Sequence, residues 1–559
     1  MAEQAQNAKL KEEGNALFAK KDYEAAVRKY TEALKLDDNN AVIYANRSAC
    51  FYNRKKYSDA LTDATRATGI DPSYAKGWSR AAAAHAALGD EHASARCWKK
   101  ALDALPAANL TPAERKQKDQ YESELKVMQK KVDKPVETLP NKDSVVLKAA
   151  TVPWTRAQAI GSELVARGIQ SSAYVIIGAY QDWASGIEVM SREQTVHLST
   201  GTPIITRGTG ALQGLASAIL RDPRVFHISD PQWLNKYQDQ VVTEARVFDA
   251  WTTAGPELVK AEALERLEDE GWRSLKLALG FTVRHWIFWG YMESHLRHRN
   301  DVGVEFVGNA LEMIRWGQEV WKDVPKHKMG ATFAPTFKRG VHAMYLDLYM
   351  GACLKDRARF PLKTLYDEAQ ALLEDCEDVA PHFNSSADVG FTLAFRRYPR
   401  GRAYYTIAWY YRKLVSEMPN PQDPRHQDSV RENSLKAGEA YIRAAKEFAI
   451  DDIYHVWYLI CGLQNLWRCG APLRLTMHIM KLIRERIPDM MRIWEHDPMT
   501  RDGLGAFKYT ADVEKLFRAG LQQRKWTIDE ALPPDGFVPK GFTVPPLAED
   551  VVATIFQLL

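Results

Sequence analysis

Two pairs of polar side chains near the start of the chain are spaced to share a helical face. Lys11 and Asn15 are four residues apart, as are Lys76 and Arg80, and side chains at this spacing project from one side of a helix. Asn46 lies between the two pairs in the sequence. Ammonium, guanidinium and amide groups donate hydrogen bonds to carboxylates, and each charge-assisted bond contributes about 1.5–3 kcal/mol. The five side chains could therefore capture a carboxylate, or they could be solvated groups on a scaffold.

A glycine-rich stretch at residues 208–214 is a second candidate. It follows the run Pro-Ile-Ile-Thr at 203–206 and superficially resembles a phosphate-binding loop. It lacks the glycine spacing of a dinucleotide-binding turn and the Gly-Lys-Ser/Thr of a nucleotide loop, and no βαβ pattern surrounds it. We interpret it as a flexible turn that starts a helix.

Two histidines offer a possible metal site. His295 and His298 could bind a metal together with Asp301, but arginines interleave with them at a predicted helix end. Cationic side chains are favoured at that end by the helix dipole. We therefore predict neither a metal site nor a cofactor.

The sharpest basic cluster could grip an acidic partner or RNA, but a solvated loop is the plainer interpretation. It consists of Arg396, Arg397, Arg400 and Arg402 around Tyr398. The chain has no nucleophile elbow, no H-E-x-x-H, no kinase set and no metallophosphatase signature. We predict no catalytic residues, although an enzyme whose site residues are scattered in sequence would lack such motifs.

Composition indicates a folded chain of several domains. Its 559 residues exceed what one core usually serves, and the 16 Trp, 23 Tyr and 19 Phe suffice to close several cores. Residues 1–134 carry 24 Lys/Arg against 19 Asp/Glu, an excess that suits one acidic ligand better than a nucleic acid. The six cysteines form no C-x-x-C pair, and neither a signal peptide nor a membrane span is evident. We expect a cytoplasmic protein with reduced thiols and no membrane partner.

A repeat organises the first 134 residues. Frames that start at residues 7, 41 and 75 give the 34-residue period of a helix-turn-helix repeat. Small residues needed where two helices cross recur in register: Ala26, Ala60 and Ser94, then Ala33, Ala67 and Ala101. After the third repeat, Thr111-Pro112-Ala113-Glu114 predicts an N-cap, a first-turn proline and a capping-box acid, which open a polar helix to about residue 131. Such a helix would cap the exposed end of the repeat stack.

This segment resembles the tetratricopeptide domains of chaperone-organising co-chaperones, of small glutamine-rich tetratricopeptide proteins and of repeat-bearing phosphatases. The resemblance is carried by the sequences at residues 10–15, 44–48 and 76–80 and covers about a quarter of the chain. In that family these segments supply a carboxylate clamp, so the resemblance implies a clamp formed by Lys11, Asn15, Asn46, Lys76 and Arg80. The implied ligand is the Glu-Glu-Val-Asp ending of the seventy- and ninety-kilodalton heat-shock chaperones.

The rest of the chain is predicted to be helical with little strand-like alternation. Prolines and lost periodicity mark a linker at 135–153, a larger helical domain follows at 154–525, and a Pro/Gly-rich extended tail occupies 526–559. Paired helices rich in Tyr and Trp predict a divergent, α-solenoid-like array, loosely similar to uncharacterised fungal tetratricopeptide proteins. The predicted fold class is therefore all-α, with a three-repeat tetratricopeptide domain (7–134) followed by this array.

These observations predict an adaptor or co-chaperone. The clamp would hold a chaperone tail, and the C-terminal helical region would engage a client or second protein. Two alternatives remain open: the C-terminal region is an unrecognised enzyme that the repeats target, or the chain is an unanchored import receptor.

Overall fold

The computed structural model describes residues 2–133, 151–197, 203–377, 388–418, 423–538 and 544–559, so most of the predicted linker at 135–153 lies outside the described residues. The chain is built from helices, as the sequence predicts. In chain order the helices are α1 (Ala2–Ala19), α2 (Tyr23–Leu36), α3 (Ala41–Asn53), α4 (Tyr57–Ile70), α5 (Ala75–Ala87), α6 (Glu91–Asp103), α7 (Pro112–Val132), α8 (Pro153–Ala166), α9 (Ser172–Ser191), α10 (Ala211–Arg221), α11 (Trp233–Phe248), α12 (Pro256–Arg297), α13 (Asn300–Val320), α14 (Lys326–Met329), α15 (Pro335–Lys355), α16 (Leu362–Asp375), α17 (Val389–Thr392), α18 (Tyr398–Ser416), α19 (Gln427–Glu447), α20 (Ile453–Arg468), α21 (Leu473–Trp494), α22 (Pro498–Gln522) and α23 (Glu549–Leu558).

The chain forms two compact units, each assembled from two stretches of sequence. The first unit contains Met1–Asp143 and Val241–Thr332, and the second contains Ser144–Gln240 and Phe333–Leu559. This division differs from the predicted boundaries, which separate residues 7–134 from everything after residue 154. The difference arises because α12 and α13 pack with the N-terminal hairpins, a long-range association that no local pattern reveals.

The N-terminal hairpins follow the predicted 34-residue register. Helices α1 to α6 pair as α1·α2, α3·α4 and α5·α6, and both predicted columns of small residues lie at the crossings. Their six members, Ala26, Ala60, Ser94, Ala33, Ala67 and Ala101, are all completely buried. Any larger side chain at these positions would hold the helices apart, which is the reason for the recurring alanine and serine.

The capping helix α7 begins with the predicted capping box. Thr111 Oγ1 accepts a hydrogen bond from Glu114 N at 3.3 Å, and the Glu114 carboxylate accepts one from Thr111 N at 2.8 Å. These two bonds satisfy backbone donors that the first turn of a helix leaves unpaired. Tyr121 and Met128 of α7 are buried with Trp98, so the helix covers the apolar end of the third repeat.

Helices α12 and α13 complete the first unit. Helix α12 is interrupted at Gly271, whose φ is 73°. Glycine adopts this left-handed φ without steric cost, so the chain can kink at Gly271 while the residues before and after it remain helical. The C-terminal half of α12 is buried along almost its whole length, and it packs against α13.

The second unit contains three features that the sequence analysis missed. Strands β1 (Glu193–His197) and β2 (Pro203–Arg207) form an antiparallel hairpin in which Thr195 pairs with Ile205. Helix α22 lies within the predicted helical domain at 154–525, but no separate helix was predicted for its residues. The tail, predicted to be extended over 526–559, ends in helix α23, where Val552 and Ile555 are completely buried. The tail prediction is wrong at 549–558 because the prolines and glycines stop before that segment, leaving helix-compatible residues behind an acidic first turn.

Candidate peptide-binding groove

The first helices of the three repeats form a continuous surface within the first unit. Helix α1 contacts α3, and α3 contacts α5. The five side chains of the predicted clamp all lie on these three helices: Lys11 and Asn15 on α1, Asn46 on α3, and Lys76 and Arg80 on α5. Stacked repeats of this type present their first helices along one face, so this face is the candidate groove.

The structure brings Asn15 and Asn46 into direct contact across two repeats. Asn46 Nδ2 donates a hydrogen bond to Asn15 Oδ1 at 3.1 Å, and Tyr30 Oη donates to the same oxygen at 2.8 Å. Asn15 Oδ1 is thus held by two donors, which orients the amide so that Nδ2 points away from Tyr30. That Nδ2 donates to the exposed Glu12 carboxylate at 3.3 Å, a long bond that a ligand carboxylate could replace.

Tyr30 is a positioning residue that sequence reasoning missed. Its ring packs in the core of the first repeat, and its hydroxyl also fixes Asn15. The ring is 1% exposed, and burial raises the pKa of Tyr30 well above its ordinary value, so the hydroxyl remains a donor. Gly14 is the feature of the sequence that could have indicated this contact. A Cβ built at Gly14 would lie 2.6 Å from the Tyr30 ring, so the ring lies against the backbone of α1.

The cationic members of the candidate clamp face solvent. Lys76 and Arg80 are exposed and Lys11 is half-buried. Within the described residues, none of the three side chains forms a hydrogen bond or an ion pair. Their charge is therefore available to a ligand, unlike that of Arg47 on α3, whose guanidinium binds both carboxylate oxygens of Asp63 at 2.8 Å.

Arg80 lies within electrostatic reach of the second repeat. Burial raises the pKa of Cys50 on α3 to about 12, and the positive charge of Arg80 opposes that rise.

The outer helix of the second repeat is covered by the rest of the first unit. Glu257 N donates to Asp59 Oδ1 at 2.9 Å, Gly255 N donates to Thr62 Oγ1 at 2.7 Å, and Asn309 Nδ2 donates to Ser58 Oγ at 2.8 Å. These bonds join α4 to the start of α12 and to α13. Because α4 is occupied in this way, the open face of the repeats is the one formed by α1, α3 and α5.

The interface on α4 also contains a compact charge cluster. Lys56 Nζ lies 3.0 Å from Glu312 Oε1, and Lys260 Nζ lies 2.6 Å from the same oxygen. These two ammonium groups lower the pKa of Glu312 against the opposing effect of burial. The cluster is part of the packing of the first unit.

The other candidate residues occupy structural positions. His295 Nδ1 lies 3.0 Å from Tyr291 O, and the two rings stack with their centroids 3.8 Å apart. His298 ends α12 in a left-handed conformation with φ 55°. Across the described ranges, no group of three or more His, Cys, Asp and Glu side chains is arranged to hold a metal ion.

The arginine cluster near residue 400 is not a solvated loop. It lies in a helical turn at Leu393–Arg397 and in α18. Arg397 and Arg400 approach the carboxylate of Glu447 at 3.3 and 3.6 Å, and Arg402 is stacked over the Tyr454 ring at 4.1 Å. The loop prediction is wrong because the helix continues through the cluster, and acids on other helices pair with Arg397, Arg400 and Arg402. The segment at 208–214 does form a turn, with Gly210 at φ 102° directly before α10.

Comparison with known proteins identifies the repeats. Residues 14–53 match the family model described as TPR repeat. The chain is 48% identical over 93 residues to the heat shock protein sti1 homolog of Schizosaccharomyces pombe, covering 17% of this chain and 16% of that protein. It is 42% identical over 124 residues to the small glutamine-rich tetratricopeptide repeat-containing protein 2 of Saccharomyces cerevisiae. That match covers 22% of this chain and 35% of the relative.

A solved structure is also similar to part of the chain. It is the crystal structure of the Sgt2 TPR domain from Aspergillus fumigatus, whose sequence is 28% identical to the matched part of this chain. The match covers 23% of this chain and 86% of the Sgt2 domain, with a TM-score of 0.20. The chain spans between about a sixth and a third of the length of the two relatives named above. Among the described residues, no helix is long and apolar enough to cross a membrane.

Proposed function

We propose that this tetratricopeptide-repeat chain is a chaperone-binding adaptor whose first unit holds an acidic C-terminal peptide in the α1–α3–α5 groove. The ligand would be the Glu-Glu-Val-Asp tail of a seventy- or ninety-kilodalton heat-shock chaperone. The second unit would engage a client or another protein. The observation that carries the proposal is the contact between Asn15 and Asn46 at 3.1 Å, in a groove with cations that have no acidic partner among the described residues.

The proposed mechanism is non-covalent capture of two carboxylates. A C-terminal aspartate presents one carboxylate on its side chain and one at the chain end. Lys76 and Arg80, four residues apart on α5, would supply charge, with Lys11 on α1. Asn15 and Asn46 would supply directional hydrogen bonds, since Tyr30 already fixes the orientation of Asn15. Preorganised donors reduce the entropy lost on binding.

The names of the relatives that match the repeats agree with a chaperone-binding role. The relatives carry the names of a heat shock protein and a small glutamine-rich tetratricopeptide protein, and their identity to this chain exceeds 40% over about 100 residues. Charge supports the same ligand, because residues 1–134 carry 24 Lys/Arg against 19 Asp/Glu. An acidic peptide would thus meet an attractive field as well as specific donors.

Calorimetric titration of the full chain with a Met-Glu-Glu-Val-Asp peptide tests the proposal. We expect micromolar affinity, equivalent to about 8 kcal/mol, and loss of binding when the peptide is amidated at its C-terminus. Lys76→Ala and Arg80→Ala should each weaken binding by about 2–5 kcal/mol, because the ligand carboxylate would be left without its partner.

The matched control is Lys35→Ala, which removes the same charge from an exposed position on the second helix α2. It should leave the affinity within about twofold, since Lys35 lies on a second helix outside the α1–α3–α5 groove and charges beyond about 8 Å are largely screened at physiological salt. Equal affinity for the free-acid and amidated peptides would refute capture of a chain-end carboxylate. Unchanged affinity in both α5 variants would refute the assignment of the clamp residues.

A further inference from the structure

A second basic site lies in the second unit, far in sequence from the repeats. A cavity of about 360 Å³ opens between α18 and α20 beside Gly536. Its volume lies within the range of small-molecule sites. Its polar lining includes three cations, Arg412, Lys413 and Arg468, together with Ser416, Cys461, Gln464 and Asn465.

The cavity gathers positive charge without an acid in its lining. Arg412 is exposed, and Lys413 and Arg468 are half-buried. Within the described residues, none of the three forms an ion pair with a carboxylate. Burial lowers the pKa of Arg468, and the guanidinium of Arg412 lowers it further. Like charges that share a cavity repel one another, so an anion bound between them would be stabilised.

Neighbouring groups hold two of these cations, Lys413 and Arg468, without neutralising them. Lys413 Nζ lies 5.3 Å above the Trp409 ring, and the Arg468 guanidinium lies 5.0 Å from the Phe537 ring. Arg468 Nη1 also donates to Gln464 O at 3.2 Å, which leaves its other N–H groups to a ligand. The side chains are therefore oriented by rings and backbone, and their charge is retained.

The cavity is suited to binding and not to covalent chemistry. Its one sulfur group, Cys461, is buried, and burial raises the pKa of that thiol to about 12. A thiol that stays protonated at neutral pH is a poor nucleophile. The amide of Gln464 makes no hydrogen bond within the described residues, so it remains available as a neutral donor.

We propose that this cavity binds a small phosphate-bearing anion. Two planar guanidinium groups and one ammonium group match the several oxygens and multiple negative charges of a phosphate better than a single carboxylate. The neighbouring cavity of about 320 Å³ is less suited, because its Arg397 already lies 3.3 Å from Glu447 and its Lys446 already donates to Gln557 O. The proposed site belongs to the second unit and does not depend on peptide binding by the repeats.

The test is calorimetric titration of the full chain with inorganic pyrophosphate, with citrate as the matched carboxylate probe. We expect saturable binding of pyrophosphate and binding of citrate at least about tenfold weaker. Arg412→Gln should raise the Kd for pyrophosphate at least about tenfold, since one charge-assisted bond is lost. Lys413→Gln is a second variant with the same expected direction.

Two controls locate the site. Arg486→Gln removes one positive charge from the neighbouring cavity, and Arg80→Ala removes one from the groove of the repeats. Each should leave the Kd for pyrophosphate within about twofold of the unsubstituted chain. The proposal is overturned if the unsubstituted chain does not bind pyrophosphate, if citrate binds equally well, or if a control variant weakens binding as much as Arg412→Gln does. Thermal unfolding of each variant verifies that it is folded.

Discussion

Replacing Asp59 by asparagine is expected to remove a pH dependence from the stability of the first unit. Asp59 is 3% exposed and accepts a hydrogen bond from Glu257 N at 2.9 Å. Burial raises its pKa from an ordinary value of 3.8 to about 8, although the backbone bond from Glu257 and the charge of Lys56 both oppose the rise. The folded state therefore holds a proton on Asp59 across a pH range in which the unfolded chain has released it.

The sign and size of the effect follow from proton linkage. Between pH 4 and pH 8 the folded chain binds one more proton than the unfolded chain at this site, so stability falls as pH rises. The slope is about 1.4 kcal/mol per pH unit, and above pH 8 it vanishes because both states are ionised. Asparagine keeps the oxygen that accepts the hydrogen bond from Glu257 N but does not titrate. As pH rises from 4 to 8, the Asp59→Asn chain should therefore become more stable relative to the unsubstituted chain by about 1.4 kcal/mol per pH unit.

Scanning calorimetry of both chains from pH 5 to pH 8 measures the difference directly. Contributions from all other groups cancel in the comparison, and the difference in Tm should change by about 3–5 °C per pH unit for a unit of this size. Asp119→Asn, at an exposed position on α7, is the control and should show no such trend. A Tm difference that stays constant from pH 5 to pH 8 would refute the reasoning, because it would mean that Lys56 and the backbone bond keep Asp59 ionised despite its burial.

Two further changes test the first unit. Asp63→Ala removes the carboxylate that accepts two hydrogen bonds of 2.8 Å from the Arg47 guanidinium. Because the buried charge of Arg47 would then be unpaired, we expect a loss of about 3–5 kcal/mol of unfolding free energy, measured by urea titration followed by circular dichroism. A loss below about 1 kcal/mol would indicate that water replaces the carboxylate. Gly14→Ala would place a Cβ 2.6 Å from the Tyr30 ring, so we expect a loss of about 1–3 kcal/mol in stability together with weaker binding of the Met-Glu-Glu-Val-Asp peptide. Normal peptide affinity in a folded Gly14→Ala chain would contradict the positioning role of Tyr30.

Local patterns were sufficient for the repeats. The 34-residue register placed Ala26, Ala60 and Ser94 at helix crossings, where each is completely buried. The motif at Thr111 predicted a capping box that the structure contains. These predictions succeeded because helical periodicity and capping depend on residues within about four positions of each other.

Local patterns failed where distant segments determine the environment. Arg402 lies in a basic cluster that resembles a solvated loop, but it is stacked on the Tyr454 ring of another helix. The hydroxyl of Tyr30 donates a hydrogen bond to Asn15, and the repeat register does not reveal this contact. The hairpin pairing of Thr195 with Ile205 was missed because two five-residue strands carry little periodicity.

For the repeats, the sequence by itself determined which helices form, in which register they stack, and which five side chains occupy the first helices. Only the tertiary structure decided which face of the repeats remains open. Asp59 belongs by sequence to an ordinary amphipathic helix, yet it is buried against the backbone of Glu257, almost two hundred residues away. Hydrogen bonds within a helix form between near neighbours, so sequence spacing reveals them, whereas the docking of α12 and α13 on α4 depends on the complementarity of two surfaces that are separate in the chain.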